Sequence, residues 1–400
     1  MNPSPSSAEL PWSLQPIVDW LFSEGRLIEH DADFVLELAR RLRDCGAPVQ
    51  RLIITLLTLN PQFLAVTCSW AESTDQIRRF ETERQIRDSD RYIGSPLQQL
   101  FETRKRVRQN LRELPDGAHR AYTELVEEGF TDYLALPVLF AGGIGASFII
   151  NTKASDGFSE HDIEQFRRLR DFITPICEVH ALKDLSRSLL NTYVGRRTGE
   201  KVLDGMIKRG DADVIRAAVW FSDLRDFTRL TENLPTQSLL EMLNDYFEFV
   251  AAAVTARGGE ILRFIGDAML IVFPIDDHMC PKTAVNAAID AALDARNTLA
   301  TLNHQRQRRG QPPIEFGVGL NVGEVVYGNV GAPDRLDFTV MGPAVNRTAR
   351  LESLTKTLGT NILFSENFAD FLDQPVQAMG EHEMKGIEGL QKVFALQSID

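Results

Sequence analysis

Residues 214–228, VIRAAVWFSDLRDFT, and residues 258–274, GGEILRFIGDAMLIVFP, decide the reading of this chain. The first opens as an apolar, β-branched run over 214–221 and delivers Asp223 at its end, as a buried strand does. The second returns as a strand over 260–264, turns at Gly266-Asp267 and leaves as another strand over 268–273. Between them a helix is expected after Pro235. Leu239, Leu243, Phe247 and Val250 mark its buried face, Asn244 and Tyr246 lie in the same helix, and Gly258 stops it. An aspartate at a strand end and another at the tip of a neighbouring hairpin can converge on a pair of cations, and their oxygens suit magnesium or manganese. Taken as isolated residues, the same two aspartates read as turn formers.

Further blocks lie downstream: GVGLNVGEVVYGNVG (317–331), DFTVMGPAVNRTARLE (337–352) and EMKGIEGLQKVF (383–394). In order and spacing the set resembles the class III adenylate and guanylate cyclases, over almost the whole of the chain beyond residue 212. The resemblance implies a ferredoxin-like, palm-type βαββαβ domain. It also implies a reaction in which the ribose 3'-hydroxyl of a nucleoside triphosphate attacks the α-phosphate and pyrophosphate leaves. Two divalent cations, Mg2+ or Mn2+, would be held by Asp223, Asp267 and the backbone carbonyl of Leu224. Amides of the 224–228 turn, including Phe227 and Thr228, would face the phosphates.

The resemblance makes Asn346 and Arg350 the pair that orients the ribose and stabilises the pentavalent phosphorus. Their spacing of four puts both on one helical face; the bland reading of Arg350 is a surface ion-pair partner. Lys385 corresponds to a lysine that grips the triphosphate, with a solvated lysine as its alternative. His278 and His382 have no partners at ligand spacing and read as surface residues. In such enzymes the metal aspartates come from one chain and the purine readers, asparagine and arginine from the other. One sequence holds both sets here, so a head-to-tail homodimer with two equivalent sites is implied.

The purine readers fall at Arg263 and Thr339. Arg263 can donate to adenine N1, and Thr339 can accept from the adenine amino group or donate to a carbonyl. With no acidic reader at either position, ATP is favoured over GTP, giving cyclic AMP; an arginine facing guanine O6 keeps a guanylate cyclase open. Arg263 also reads as an exposed strand residue. Two positions depart from the pattern. Asp226 stands where glycine is usual in the phosphate-facing turn, and its charge calls for pairing with Arg225 or Arg229 or for pointing away. Pro343 replaces a frequent aspartate. A catalytically silent dimerisation or nucleotide-binding module is the remaining alternative; joint retention of Asp223, Asp267, Asn346 and Arg350 argues against it.

Upstream, Phe34, Leu36, Leu38 and Leu42 suggest a helix, and 52–59 and 63–70 suggest strands. The longest apolar stretch, YLALPVLFAGGIGASFII (133–150), approaches the length of a membrane span. Pro137 and the Ala141-Gly142-Gly143 break make it a buried hairpin instead. A helix over 159–182 follows, opened by Ser159 with Glu160, His161 and Asp162 in its first turn. Strand-then-helix order predicts an α+β sheet with helices on one side. The segment 136–173 resembles the end of a GAF sensor domain, implying a module that answers to a small molecule or protein signal not named by these residues.

The expected organisation is a tail and amphipathic helix over 1–33, a GAF-like sensor over 34–182, a helical connector over 183–212 and the cyclase domain over 213–400. The connector reads as a parallel helical pair in a dimer or as a single amphipathic helix. A net charge of −13 with 25% charged residues lacks the basic face that nucleic acid requires. Four scattered cysteines (Cys45, Cys68, Cys177, Cys280) give neither a disulfide framework nor a zinc site. With no secretory signal pattern and no membrane span read, a cytoplasmic protein is expected.

Overall fold

A computed structural model describes residues 11–60, 62–276 and 279–397, apart from the side chain of Ile144. His278 and the first ten residues of the tail lie outside the described residues. The chain divides into two compact units at Leu189/Leu190.

The first unit begins with helices α1 (Gln15–Ser23) and α2 (Asp31–Asp44) and strands β1 (Arg51–Leu57), β2 (Phe63–Ala71) and β3 (Gln76–Glu83). Helix α3 (Pro96–Thr103), strand β4 (Val107–Asn110) and helix α4 (Arg120–Glu127) follow, then strands β5 (Asp132–Phe140) and β6 (Gly143–Thr152) and helix α5 (Glu160–Val194). Six antiparallel strands form one sheet in the order β3-β2-β1-β6-β5-β4. The long apolar stretch is the β5-β6 hairpin, and no helix among the described residues is long and apolar enough to cross a membrane. Its apolarity has a local cause. Leu134, Leu136, Val138, Phe148 and Ile150 face the core made with α1, α2 and α5, while Tyr133, Ala135 and Ile149 face a second cluster with α3 and α4. Strands buried on both faces read as continuous apolar runs.

The expectation of helices on one side is therefore corrected: α3 and α4 cover the opposite face. They are eight residues each, too short for a clear helical period. Ser159 opens α5 as expected. Its amide and hydroxyl donate to Asp162 Oδ2 at 2.8 and 2.6 Å, and the Asp162 amide donates back to Ser159 Oγ at 3.2 Å.

The second unit holds α6 (Arg196–Leu203), β7 (Ala212–Leu224), α7 (Phe227–Asn233), α8 (Thr236–Ala256), β8 (Glu260–Ile265), β9 (Ala268–Ile275) and α9 (Pro281–Arg308). It continues with β10 (Phe316–Ala332), β11 (Arg335–Met341), α10 (Pro343–Thr357), β12 (Ile362–Ser365), α11 (Glu366–Ala369), β13 (Val376–Glu383) and β14 (Leu390–Leu396). The sheet runs β13-β14-β12-β10-β7-β9-β8, with β11 paired to β10. Met242, Tyr246 and Val250 of α8 and Ala288, Ala292 and Ala295 of α9 bury one sheet face. Helix α10 lies on the other, where Gly317, Gly319 and Gly323 of β10 admit it. A β-carbon at Gly319 would stand 2.3 Å from the Thr348 carbonyl oxygen. The region expected as a connector is divided: α5 ends before Gly195 (φ +89), and α6 packs in the second unit, where Thr198 and Tyr327 hydroxyls lie 2.8 Å apart.

Candidate active site

Strand β7 sits between β10 and β9, so the end of β7 lies beside whatever the β8-β9 hairpin presents. Ser222 pairs with Met269 and Ile265 with Ala268, leaving Gly266-Asp267 as a two-residue tip; Gly266 takes φ +66. The tip brings Asp267 to Asp223, and their carboxyl groups share a hydrogen bond. Burial, that hydrogen bond, the charge of Asp267 and the charge of Glu352 together push Asp223 up to about 7. Asp223 Oδ1 is buried without a hydrogen-bond partner.

Two carboxyl groups brought together, one with an orphaned oxygen, fit a site for oxygen-loving cations. Among the described residues no third His, Cys, Asp or Glu completes a metal-holding cluster with them. Leu224 can contribute only its carbonyl, since its side chain belongs to the core. Beneath the pair, the buried Tyr246 hydroxyl donates to Ser222 Oγ at 2.9 Å and fixes the strand end against α8.

Glu352 was not singled out from sequence. A β-carbon at Gly317, the β10 residue opposite Asp223, would meet Glu352 Oε1 at 2.6 Å, so this carboxylate lies over the sheet beside the pair. Burial pushes it up to about 7; Arg225 opposes that shift and Asp267 adds to it. The available signal was the Gly-x-Gly spacing of 317 and 319, which frees one strand face for a helix.

The 224–228 turn, expected to face the phosphates, differs from expectation in its pairing. Asp226 is in the left-handed region at φ +56, which accounts for glycine being usual there. Its carboxylate pairs with Lys356 Nζ at 2.5 Å, and not with Arg225 or Arg229. Arg225 is occupied elsewhere, donating to Thr360 O at 2.8 Å and Asn361 Oδ1 at 3.1 Å. The Phe227 side chain packs on the core, so only its amide is available to a ligand, whereas Thr228 is exposed at the start of α7.

Asn346 and Arg350 are both exposed on α10, whose buried face is Ala344, Thr348, Leu351 and Thr355. Among the described residues neither bonds to Asp223 or Asp267, and Arg350 enters no ion pair. Pro343 occupies the first turn of the helix, where a missing amide costs nothing. Arg263 donates to Asp337 across 2.7 Å, with both side chains about half exposed. Asp337 and Thr339 share one face of β11 while Phe338 between them is buried. An acidic group therefore does stand beside Arg263 and Thr339, the positions expected to read the purine. Its signal was the two-residue spacing from Thr339. Lys385 is exposed in the turn between β13 and β14, and His382 Nε2 is bonded to the Met379 carbonyl at 3.0 Å.

The family described as adenylate and guanylate cyclase catalytic domain matches residues 212–398. An adenylate cyclase of Anabaena cylindrica is 37% identical over 171 residues, 42% of this chain and 33% of that protein. Adenylate cyclase 1 of Rhizobium meliloti is 33% identical over 147 residues, 36% of this chain and 22% of its own length. The chain thus spans a third or less of the curated relatives it matches here. Among solved structures, an adenylyl cyclase from P. aeruginosa is 27% identical, covering 47% of this chain and 96% of that one with a TM-score of 0.43.

Proposed function

We propose, from the match of residues 212–398 to the adenylate and guanylate cyclase catalytic-domain family, that the chain is an adenylate cyclase acting as a head-to-tail homodimer. The observation that carries the reading is the meeting of Asp223 and Asp267, with a buried Asp223 oxygen lacking any protein partner. Divalent cations, Mg2+ or Mn2+, when bound there supply activation of the 3'-hydroxyl and relief of triphosphate charge. Asp223, Asp267 and the Leu224 carbonyl hold them. Asn346 orients the ribose, and Arg350 meets the charge that gathers on the α-phosphate as the O3'–P bond forms and the bond to pyrophosphate breaks. The hydroxyl proton leaves to water. Arg263 donates to adenine N1, Thr339 accepts from its amino group, and Lys385 meets the triphosphate tail.

Two features favour sharing the site between chains. Glu352 lies beside its own chain's Asp223, and Arg350 two residues earlier is about 200° away round the helix, so it is aimed away from that pair. Phe264, Ile265, Val330 and Met341 also leave apolar surface exposed near the same strands, as protein-binding faces do. We read the first unit as a sensor that regulates this output.

A second reading, guanylate cyclase, is favoured by Asp337, because a carboxylate can accept from guanine N1–H and its amino group. Incubating the purified chain with Mn2+ and ATP or GTP and measuring cyclic nucleotide separates the two. Turnover of GTP alone overturns the adenylate assignment, and nucleotide binding without turnover of either makes the domain a silent module. Asp223→Ala is expected to abolish turnover with the dimer intact by sedimentation; retained activity contradicts the metal assignment.

A further inference from the structure

Helix α10 carries a charged stripe over the end of β7. Glu352 lies beside Asp223 and Asp267, and Lys356, four residues on, shares its side of the helix. The Lys356 ammonium lies 2.5 Å from Asp226 Oδ1, in the turn that follows Asp223. Asp226 stands immediately before α7, where an aspartate ordinarily accepts from the amides of the helix it opens. Its side chain makes no such bond and is turned to Lys356 instead.

This pair is built to exchange. The Lys356 side chain is 68% exposed and that of Asp226 47%, and an ion pair so placed adds little to folding because water screens it. An ammonium carries three donors, yet among the described residues Asp226 is the one hydrogen-bond or ion-pair partner of Lys356. The neighbouring cation, Arg225, is tied to Thr360 O and Asn361 Oδ1. A carboxylate in this turn repels a polyphosphate, which leaves two roles for the lysine. It can cancel that charge and stay on Asp226, or it can meet the phosphates with its remaining donors.

We propose that Lys356 binds the triphosphate directly, from the same chain that supplies Asp223 and Asp267, and that Asp226 holds the ammonium over the turn and competes with phosphate for it. The inference rests on the reading of the aspartate pair as the seat of a metal-bound triphosphate. It adds a second cation to that site alongside Lys385.

The test is a double-mutant cycle of Lys356→Ala and Asp226→Gly in the full chain, read by calorimetric titration with tripolyphosphate and Mn2+ and by KM and kcat for ATP. Glycine suits the φ of +56 at residue 226 and removes the competing carboxylate. Lys356→Ala is expected to weaken tripolyphosphate and raise KM by about tenfold or more, with kcat changed less, as for loss of a charge-assisted bond. Asp226→Gly should lower KM by about threefold. In the Asp226→Gly chain, removing the lysine should still cost about tenfold, because its phosphate contact is intact. A lysine that only neutralises Asp226 gives the opposite: with the carboxylate gone, Lys356→Ala costs nothing, and that result overturns the proposal. Unchanged affinity in Lys356→Ala, a fall in kcat with binding unmoved, no saturable tripolyphosphate binding by the unaltered chain, or a loss that follows Arg229→Ala in place of Lys356→Ala overturns it too; Arg229 is the exposed cation of α7. If neither ATP nor GTP turns over in the unaltered chain, the cyclase reading falls, and the tripolyphosphate titration decides the role of Lys356 by itself.

Discussion

Arg263 and Asp337 are joined at 2.7 Å, so neither can be replaced as though it stood alone. Arg263→Glu by itself would set two carboxylates face to face, and like charges at that distance repel. The single variant should therefore lose turnover with ATP and gain little with GTP. The double exchange R263E/D337R keeps the ion pair and moves the carboxylate to β8, where it can accept from guanine N1–H. Its expected outcome is a kcat/KM ratio shifted toward GTP by tenfold or more, about 1.4 kcal/mol, with the single variants not additive. Additive losses and no GTP turnover would show that the pair lies outside the base pocket. At this scale the sequence disclosed the residues that match a motif and not those that serve them. Asp223 and Asp267 are legible from strand ends and a Gly-Asp tip. Asp337, Glu352 and the Lys356 partner of Asp226 are legible only when strands and helices are laid beside one another.

Helix α10 carries Asn346 and Arg350, and two of the three β10 glycines that admit it fail differently when filled. A β-carbon at Gly319 would meet backbone, Thr348 O at 2.3 Å and Glu352 N at 2.5 Å. At Gly317 it would meet side-chain ends, Thr355 Oγ1 at 2.4 Å and Glu352 Oε1 at 2.6 Å. Backbone cannot step aside without moving the helix, so Gly319→Ala is expected to cost about 1–3 kcal/mol in denaturant unfolding and to lower kcat. Gly317→Ala should cost less. Equal effects would mean that α10 is not seated by its backbone. In the first unit, α5 buries His180 beside Phe34, and burial lowers its pKa from the ordinary 6.5; Asp31 and Asp184 oppose that shift, while Lys183 and His30 add to it. The unfolded chain therefore takes up the proton first, and stability present above that value is lost as pH falls through it toward the lower folded value. The first unit's Tm should drop on acidification below about 6.5, and His180→Phe should flatten that drop. Long elements with strong patterns, the β5-β6 hairpin, α5, α8 and β7, were legible from sequence. Strand β3 was not, because it is exposed along most of its length, and α3 and α4 were not, because a helix of eight residues gives little more than two turns of period.

For the molecule as a whole, the question is whether one chain can complete a site. Arg350 is directed away from the aspartates of its own chain, so each proposed site takes Asp223 and Asp267 from one protomer and Asn346 and Arg350 from its partner. This arrangement has a consequence that no single-chain site shares. Asp223→Ala and Arg350→Ala homodimers should each be inactive, since every site in either lacks one member. In a mixed dimer the two lesions fall together: one site carries both and the other carries neither. Random assortment makes half the dimers mixed and leaves each of those one working site, so co-expressed or refolded mixtures should recover about a quarter of the unaltered activity at equal protein. The recovered rate should have an unchanged KM for ATP, because the surviving site is chemically intact. Mixing Asp223→Ala with Asp267→Ala offers the control. Both lesions belong to the same half-site, so a mixed dimer has one site broken at Asp223 and one at Asp267, and nothing should return. Activity in the first mixture and none in the second is the pattern of a shared site. Silence in both, with mixed dimers verified by mass, would place the four residues within one chain or outside the chemistry altogether.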